Sequence, residues 1–268
     1  MILRVVQKMT FELRERNGVK FFIIPAFEST GIVRHGFSAK PLDFAIKKQD
    51  KRNEAILNFR EFCKILGVNH ENLVLSDQIH DDKVYYAKEE DRGKGIFKDS
   101  DIKGQDALIT DRKNVALVTF YADCVPLFFL DKEKPAIGLA HSGWRGTAKR
   151  VGKKTILKMV EYFRTNPENL LAGIGPCIGR CCFEVDEPVI DVFRKENFNC
   201  EDFTLYKGKG KWMMDLTLAN KIILMEAGVK EKNIIESGYC TFCNQDLLFS
   251  YRREKEKAGS LVAIIELV

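Results

Sequence analysis

The sequence predicts an α+β fold with a mixed sheet, carried by one domain across residues 1–268. Three observations support this. Segments with helical apolar spacing alternate with short β-like runs. Several runs are joined by turns of a few residues, and no linker, repeat or low-complexity stretch divides the chain. Turns that short force antiparallel pairing, because a parallel crossover needs a dozen or more residues. A hydrophobic share of 45% and a charged share of 30% are those of an ordinary globular chain with a sizeable core.

Taken in order, Thr10 to Pro25 alternates apolar and polar residues on both sides of Asn17-Gly18. That dipeptide favours the positive φ angles of a type I′ turn, so a hairpin is expected. Val33 to Ser38 reads as a short strand. Lys51 to Leu66 has helical spacing, with Gly67 as its stop. Leu73-Val74-Leu75 is a strand leading to Gln78-Ile79-His80, and Lys88 to Lys103 reads as a long surface loop. Two strand pairs are expected next: Ala107–Ile109 with Val115–Phe120, then Val125–Leu130 with Ala136–Ala140. Lys149 to Arg164 is an amphipathic helix with Val151, Ile156, Leu157, Val160 and Phe163 inward. A strand at Leu170–Ile174 follows, then helices over Glu187–Lys195 and Asp215–Ala227. Asp215 serves as N-cap and Gly228 as stop, and Leu261–Leu267 is a closing strand.

The net charge of +5 is spread along the chain. No basic block beyond Lys207-Gly-Lys-Gly-Lys211 argues for a nucleic-acid partner, and that run reads as a solvated loop. The longest apolar run, Val115 to Leu130, is broken by Asp123 and Pro126 and falls short of the ~18–20 residues of a membrane span. Met1-Ile2-Leu3-Arg4 has no signal-peptide pattern, so the cytoplasm is the expected location.

The chemistry-bearing residues are few. His80 follows a strand, His141 ends one, and Cys124 lies between them in Ala122-Asp123-Cys124-Val125-Pro126. Strand ends bring distant residues to one rim of a sheet. Two imidazoles and a thiolate suit zinc or copper rather than magnesium or calcium. They leave a fourth position where a water's pKa would fall towards ~7. Three unrelated core residues, or a Cys124 nucleophile activated by either histidine with Asp123 or Ser142 orienting the base, fit the same spacing. Cys177, Cys181 and Cys182, with Cys240 and Cys243, read first as reduced packing thiols and otherwise as a second metal site or a redox pair. The glycine-rich Gly173–Gly179 stretch lacks P-loop and dinucleotide spacings. In Gly143-Trp144-Arg145-Gly146 the indole could stack on a planar ring and the guanidinium bind an anion.

These blocks occur in a particular order: His35-Gly36-Phe37-Ser38, Gln78-Ile79-His80, Ala122-Asp123-Cys124-Val125-Pro126, His141 to Gly146, Gly175-Pro176-Cys177-Ile178-Gly179, and Cys240-Thr241 with Phe249-Ser250-Tyr251-Arg252-Arg253. From about residue 30 onward the chain resembles the YfiH/YlmD family, also called the laccase-domain or multi-copper polyphenol oxidoreductase family, which includes FAMIN-like proteins. The resemblance implies an α/β sandwich with mixed sheets, like the catalytic domain of the deamidating toxin CNF, a cysteine-hydrolase-like fold. It implies zinc on His80, Cys124 and His141, with copper as the alternative. It also implies phosphorolysis of adenosine, inosine and 5′-methylthioadenosine, deamination of adenosine, and a homodimer. For those reactions Asp123 and Glu184 are the candidate proton-shuttling carboxylates, and His35, Arg145 and the loop at Gly175 the candidate phosphate contacts. Polyphenol oxidation and cysteine-dependent amide hydrolysis in peptidoglycan editing are the rival activities. The chain departs from the family pattern after Phe37-Ser38-Ala39-Lys40, where Pro41-Leu-Asp-Phe replaces a glycine-rich loop.

Overall fold

The computed structural model describes residues 10–268; the reading at Met1–Arg4 lies outside them. The first half contains β1 (Glu12–Arg16), β2 (Val19–Ile23), α1 (Pro25–Glu28), β3 (Val33–Ser38), α2 (Arg52–Leu66), β4 (Leu73–Leu75), β5 (Val84–Tyr86), β6 (Ala107–Thr110), β7 (Ala116–Tyr121) and β8 (Val125–Asp131). The second half contains β9 (Ala136–Ser142), α3 (Trp144–Ala148), α4 (Val151–Phe163), β10 (Leu171–Ile174), β11 (Glu184–Asp186), α5 (Glu187–Lys195), β12 (Thr204–Gly208), β13 (Lys211–Met214), α6 (Leu216–Glu226), β14 (Ile234–Glu236), α7 (Tyr251–Glu254) and β15 (Leu261–Leu267).

Two six-stranded mixed sheets, β1-β2-β3-β15-β7-β4 and β14-β10-β8-β9-β6-β5, are accompanied by a separate three-stranded sheet, β11-β13-β12. The period-2 alternation of side chains explains the layering. On β15, Ala263 and Ile265 face the second sheet's Phe128, Leu130 and Leu139, whereas Val262 and Ile264 face Phe59 and Phe62 of α2. On β8, Phe128 and Leu130 face the first sheet while Leu127 and Phe129 face Ile156 and Met159 of α4 and Leu224 of α6. Both sheets are therefore covered on both faces. That is why β8 and β15 are almost continuously apolar, and each fully buried Val, Leu, Ile or Phe adds roughly 1.5–3 kcal/mol.

The Asn17-Gly18 hairpin forms, with φ of 54° and 79°, and α2 ends on Gly67 at φ 74°. Asp215 caps α6 by accepting the Leu218 N–H at 2.9 Å. Four expectations are corrected. Ala107–Ile109 and Val115–Phe120 do not pair with each other. β6 joins the second sheet beside β9 and β5, while β7 joins the first beside β15 and β4, so the turn at Asp111–Asn114 passes between sheets. Leu157 points outward at 52% exposure, and Met159 takes the inward place. Arg150, with φ 57°, breaks the helical segment so that a short α3 precedes α4. Lys207-Gly-Lys-Gly-Lys211, expected as a solvated loop, closes the β12–β13 hairpin, and Lys207 and Lys211 pair with Glu184 and Asp186. No described helix is long and apolar enough to cross a membrane.

Candidate functional site

His80, Cys124 and His141 meet at one rim where the ends of the two large sheets converge. Each arrives by a different local device. Beyond β4 the chain stops pairing as a strand, and the Gln78 side chain takes over. Its carboxamide accepts the Phe120 N–H at 2.7 Å and donates to the Phe120 carbonyl at 2.9 Å, as a further strand residue would. His80 follows in the left-handed region, φ 64°. Cys124 sits where the chain crosses from β7 in one sheet to β8 in the other, directly after Asp123 at φ 94°. Such backbone conformations cost non-glycine residues about 1–3 kcal/mol and persist only where the surroundings hold them. His141 lies within β9, opposite Pro126 of β8.

The three potential ligand atoms lie within 4.8 Å of one another. Cys124 Sγ is 3.8 Å from His80 Nε2, and the two imidazole centroids are 4.9 Å apart with planes at 80°. A tetrahedral zinc with ordinary Zn–S and Zn–N bonds separates its sulfur and nitrogen ligands by about 3.6 Å, so the donor set fits the ion in both chemistry and spacing. Room for this convergence depends on Gly143. A Cβ there would stand 2.9 Å from His80 Cδ2 and 3.0 Å from Cys124 Sγ.

Behind the histidines lies Asp106, fully buried and absent from the sequence reading. Its Oδ1 takes His141 Nδ1 at 2.8 Å and the His80 N–H at 3.0 Å; its Oδ2 takes the N–H groups of Ile79 at 3.0 Å and Asp81 at 2.8 Å. One carboxylate thus shapes the His80 turn and fixes His141 with Nδ1 as donor and Nε2 towards the cavity, the arrangement commonly found behind metal-binding histidines. Burial pushes the Asp106 carboxyl up, but the His141 bond and the backbone donors outweigh it and hold it below the usual range. Burial also raises the Cys124 thiol, yet His141 and His80 bring it down to about 6. Burial lowers His141, while the Cys124 thiolate and Asp106 lift it to about 9. In the metal-free protein both shifts favour an imidazolium beside a thiolate.

The three residues open into a cavity of about 600 Å³, within the range of small-molecule sites. Phe44, Phe120, Tyr121, Trp144, Phe183 and Tyr251 give it aromatic walls, and Lys47, Lys48, Arg252 and Lys255 bring cations to its edge. The segment Phe44 to Lys48, just beyond the departure from the family pattern, forms one wall. A second cleft of about 480 Å³, between Val84 and Leu157, is bordered by lysines and carboxylates without histidine or cysteine.

The other expected site residues are distributed differently. Asp123 lines the cavity, but its carboxylate accepts the Thr241 hydroxyl at 2.5 Å and the Arg252 N–H at 2.7 Å, which makes it a brace. His35 lies apart, in the core beside Phe27 and Phe128. Its Nε2 accepts the Ile24 N–H at 2.8 Å, and burial lowers its pKa to about 3, so it is neutral and offers no charge to an anion. Arg145 is exposed and stacks on Trp144, 4.2 Å from the ring centroid, outside the cavity wall. Gly175 packs against Pro126, where a Cβ would come within 2.8 Å, and Ile178 reaches the cavity in its place. Glu184 directs its carboxylate to Lys207 at 2.9 Å; its carbonyl accepts from the Arg252 guanidinium. Arg252 and Asp106 are the residues that pattern reading missed as parts of the site. Arg252 stood within a quoted motif without a role, whereas nothing local marks Asp106.

The family profile described as "Multi-copper polyphenol oxidoreductase laccase" matches residues 29–268. A Bacillus subtilis protein named purine nucleoside phosphorylase YlmD is 34% identical over 86% of this chain and 84% of its own. A protein from an unknown prokaryotic organism named adenosine deaminase RL5 is 35% identical over 70% of this chain and 72% of its own. The crystal structure of Bacillus licheniformis hypothetical protein YfiH superposes with a TM-score of 0.90 at 32% identity, covering 96% of this chain and 99% of that one. That of YlmD from Geobacillus stearothermophilus gives 0.88 at 28% identity, covering 95% and 98%. With the site's geometry and these likenesses together, the chain belongs to the multi-copper polyphenol oxidoreductase laccase family, whose relatives include the YfiH and YlmD proteins.

Proposed function

We propose that the protein is a zinc-dependent purine nucleoside enzyme. It would cleave adenosine, inosine and 5′-methylthioadenosine by phosphorolysis and deaminate adenosine. The observation that carries this reading is the convergence of His80, Cys124 and His141 at the floor of an aromatic, cation-edged cavity. The names of the similar YlmD and RL5 proteins support the substrate class. His80, Cys124 and His141 would hold the ion, which when bound supplies a Lewis acid at the cavity floor.

The remaining roles fall to the chain's own groups. Asp106 accepts the Nδ1 proton of His141 and keeps the Nε2 lone pair turned inward. The aromatic walls would stack the purine. Arg252, supported by Lys48 and Lys255, would receive the phosphate that attacks ribose C1′ as the bond to the base breaks. Asp123 holds the Arg252 backbone and so places that guanidinium. The wall from Phe44 to Lys48 would set the preference among 5′-substituents.

Copper oxidation of phenols has the family name in its favour. Several coppers would need more imidazoles than four histidines provide, and His35 and His70 lie away from the site, His70 against Phe97. The test uses the zinc-loaded full chain with each nucleoside, with and without inorganic phosphate, read by chromatography. Phosphate-dependent release of base and the matching sugar 1-phosphate (ribose-1-phosphate from adenosine and inosine, 5-methylthioribose-1-phosphate from 5′-methylthioadenosine), and inosine from adenosine, are expected. No product from protein shown to contain zinc would reject the proposal.

A further inference from the structure

The eight cysteines fall into three groups. Cys63, Cys177 and Cys200 are buried, and burial pushes the thiols of Cys63 and Cys177 up to about 12, as for packing residues. Cys124 belongs to the cavity. The other four are less enclosed: Cys181 and Cys243 are exposed, and Cys182 and Cys240 half-buried at the edge of the core. Their sulfurs nevertheless all lie within 4.8 Å of one another. Cys243 Sγ is 3.6 Å from Cys181 Sγ and 3.4 Å from Cys182 Sγ.

We propose that Cys181, Cys182, Cys240 and Cys243 form a second metal site, a tetrathiolate for one thiophilic divalent ion such as zinc or iron(II). The size fits a single ion: four sulfurs about 2.3 Å from one centre stand about 3.8 Å apart. A polynuclear iron–sulfur cluster, whose cysteines bind different iron atoms, would spread them further. Cys240-Thr-Phe-Cys243 has the two-residue spacing of a chelating knuckle, and the Gly179 N–H donates to Cys240 Sγ at 3.2 Å, a bond that favours the thiolate. On binding, four thiols release their protons to solvent and the filled site carries two negative charges. Arg180 adjoins it in sequence.

The position gives the site a purpose. The sulfurs come from two loops, Cys181 and Cys182 beyond β10 and Cys240 and Cys243 beyond β14. The loops also meet through a bridge in which the Thr241 N–H donates to the Cys177 carbonyl at 2.9 Å. The Thr241 hydroxyl holds Asp123, the neighbour of Cys124, and the Arg253 guanidinium gathers the carbonyls of Thr241, Phe242 and Leu248. An ion on the four sulfurs would lock the turn that braces Asp123 and the loop that carries Ile178 and Phe183 to the cavity.

The test uses the full chain purified without oxygen, stripped of metal and titrated with cobalt(II). Two ions per chain are expected. One should show the strong near-ultraviolet charge transfer and tetrahedral visible bands of several thiolates. Cys124→Ser should keep that spectrum. The double variant Cys240→Ser/Cys243→Ser should lose it and bind one ion fewer, and Cys240→His, which retains a ligand, should recover an ion with a shifted spectrum if the double variant does not fold. Three results would overturn the proposal: a multi-thiolate spectrum that vanishes in Cys124→Ser, unchanged stoichiometry and spectrum in the cysteine variants, or an intact mass lower by two hydrogens per cysteine pair in the anaerobic protein, which would make these residues disulfides.

Discussion

Replacing Asp106 by Asn tests how the proposed metal ligands are held. The carboxylate accepts four N–H groups, two on each oxygen. An amide of the same shape keeps one oxygen and turns an NH₂ towards two of those donors, whichever way it rotates. If the NH₂ faces Ile79 and Asp81, two half-buried donors lose their partner. If it faces His141, the His80 N–H is orphaned and the imidazole must switch tautomer, placing a proton on the Nε2 that should bind the ion. An unsatisfied donor costs about 1–3 kcal/mol when fully buried; these are half-buried and fall at the lower end, so the loss is roughly 2 kcal/mol. At about 2–4 °C per kcal/mol for a chain of this size, melting should fall by at least several degrees. Zinc affinity, measured by competition with a chromophoric chelator, should weaken on the order of 10–100-fold. A variant that melts with the parent and binds zinc equally well would refute the role given to Asp106.

Three further outcomes follow from the same geometry. Gly143→Ala puts a methyl 2.9 Å from His80 Cδ2 and 3.0 Å from Cys124 Sγ; turnover should fall on the order of 100-fold with the circular dichroism unchanged, and parental kinetics would contradict the close approach. In metal-free protein, alkylation of Cys124 mapped by peptide mass spectrometry should rise with pH through about 6 and level off above it, because the depressed pKa makes the thiolate dominant on the alkaline side; a midpoint near the ordinary thiol value of 9.0 would remove the imidazolium–thiolate pair. Arg252→Ala should raise KM for phosphate about tenfold or more and leave zinc content intact; an unchanged KM would move the phosphate elsewhere.

Much of the fold was legible because local rules were obeyed. Asn17-Gly18, Gly67 and Asp215 announce their turn, stop and cap, and β8 and β9 read as a hairpin around Asp131–Lys134. The β6–β7 error has a general cause: a short turn between two strands serves equally well to pass from one packed sheet to another, and both strands are apolar because each is buried on both faces. The strands β5, β11, β13 and β14 have only three or four residues, and β12 is largely exposed on both faces, so none of them shows an apolar period. Within the site, the three candidate ligand residues stood out as strand-end histidines and a cysteine between them. Asp106 did not, since its meaning lies in four donors gathered from two distant segments. The place of His35 was not legible, because a histidine beside glycine in sequence gives no sign that its ring will take a backbone N–H inside the core.

Diffraction from crystals of the zinc-loaded protein, collected on both sides of the zinc absorption edge, examines the ion's place without reference to turnover. The account predicts an anomalous peak about 2.0–2.3 Å from the Nε2 atoms of His80 and His141 and the Sγ of Cys124. Zinc found only at the four clustered cysteines, or no peak at all beside Cys124, would contradict it.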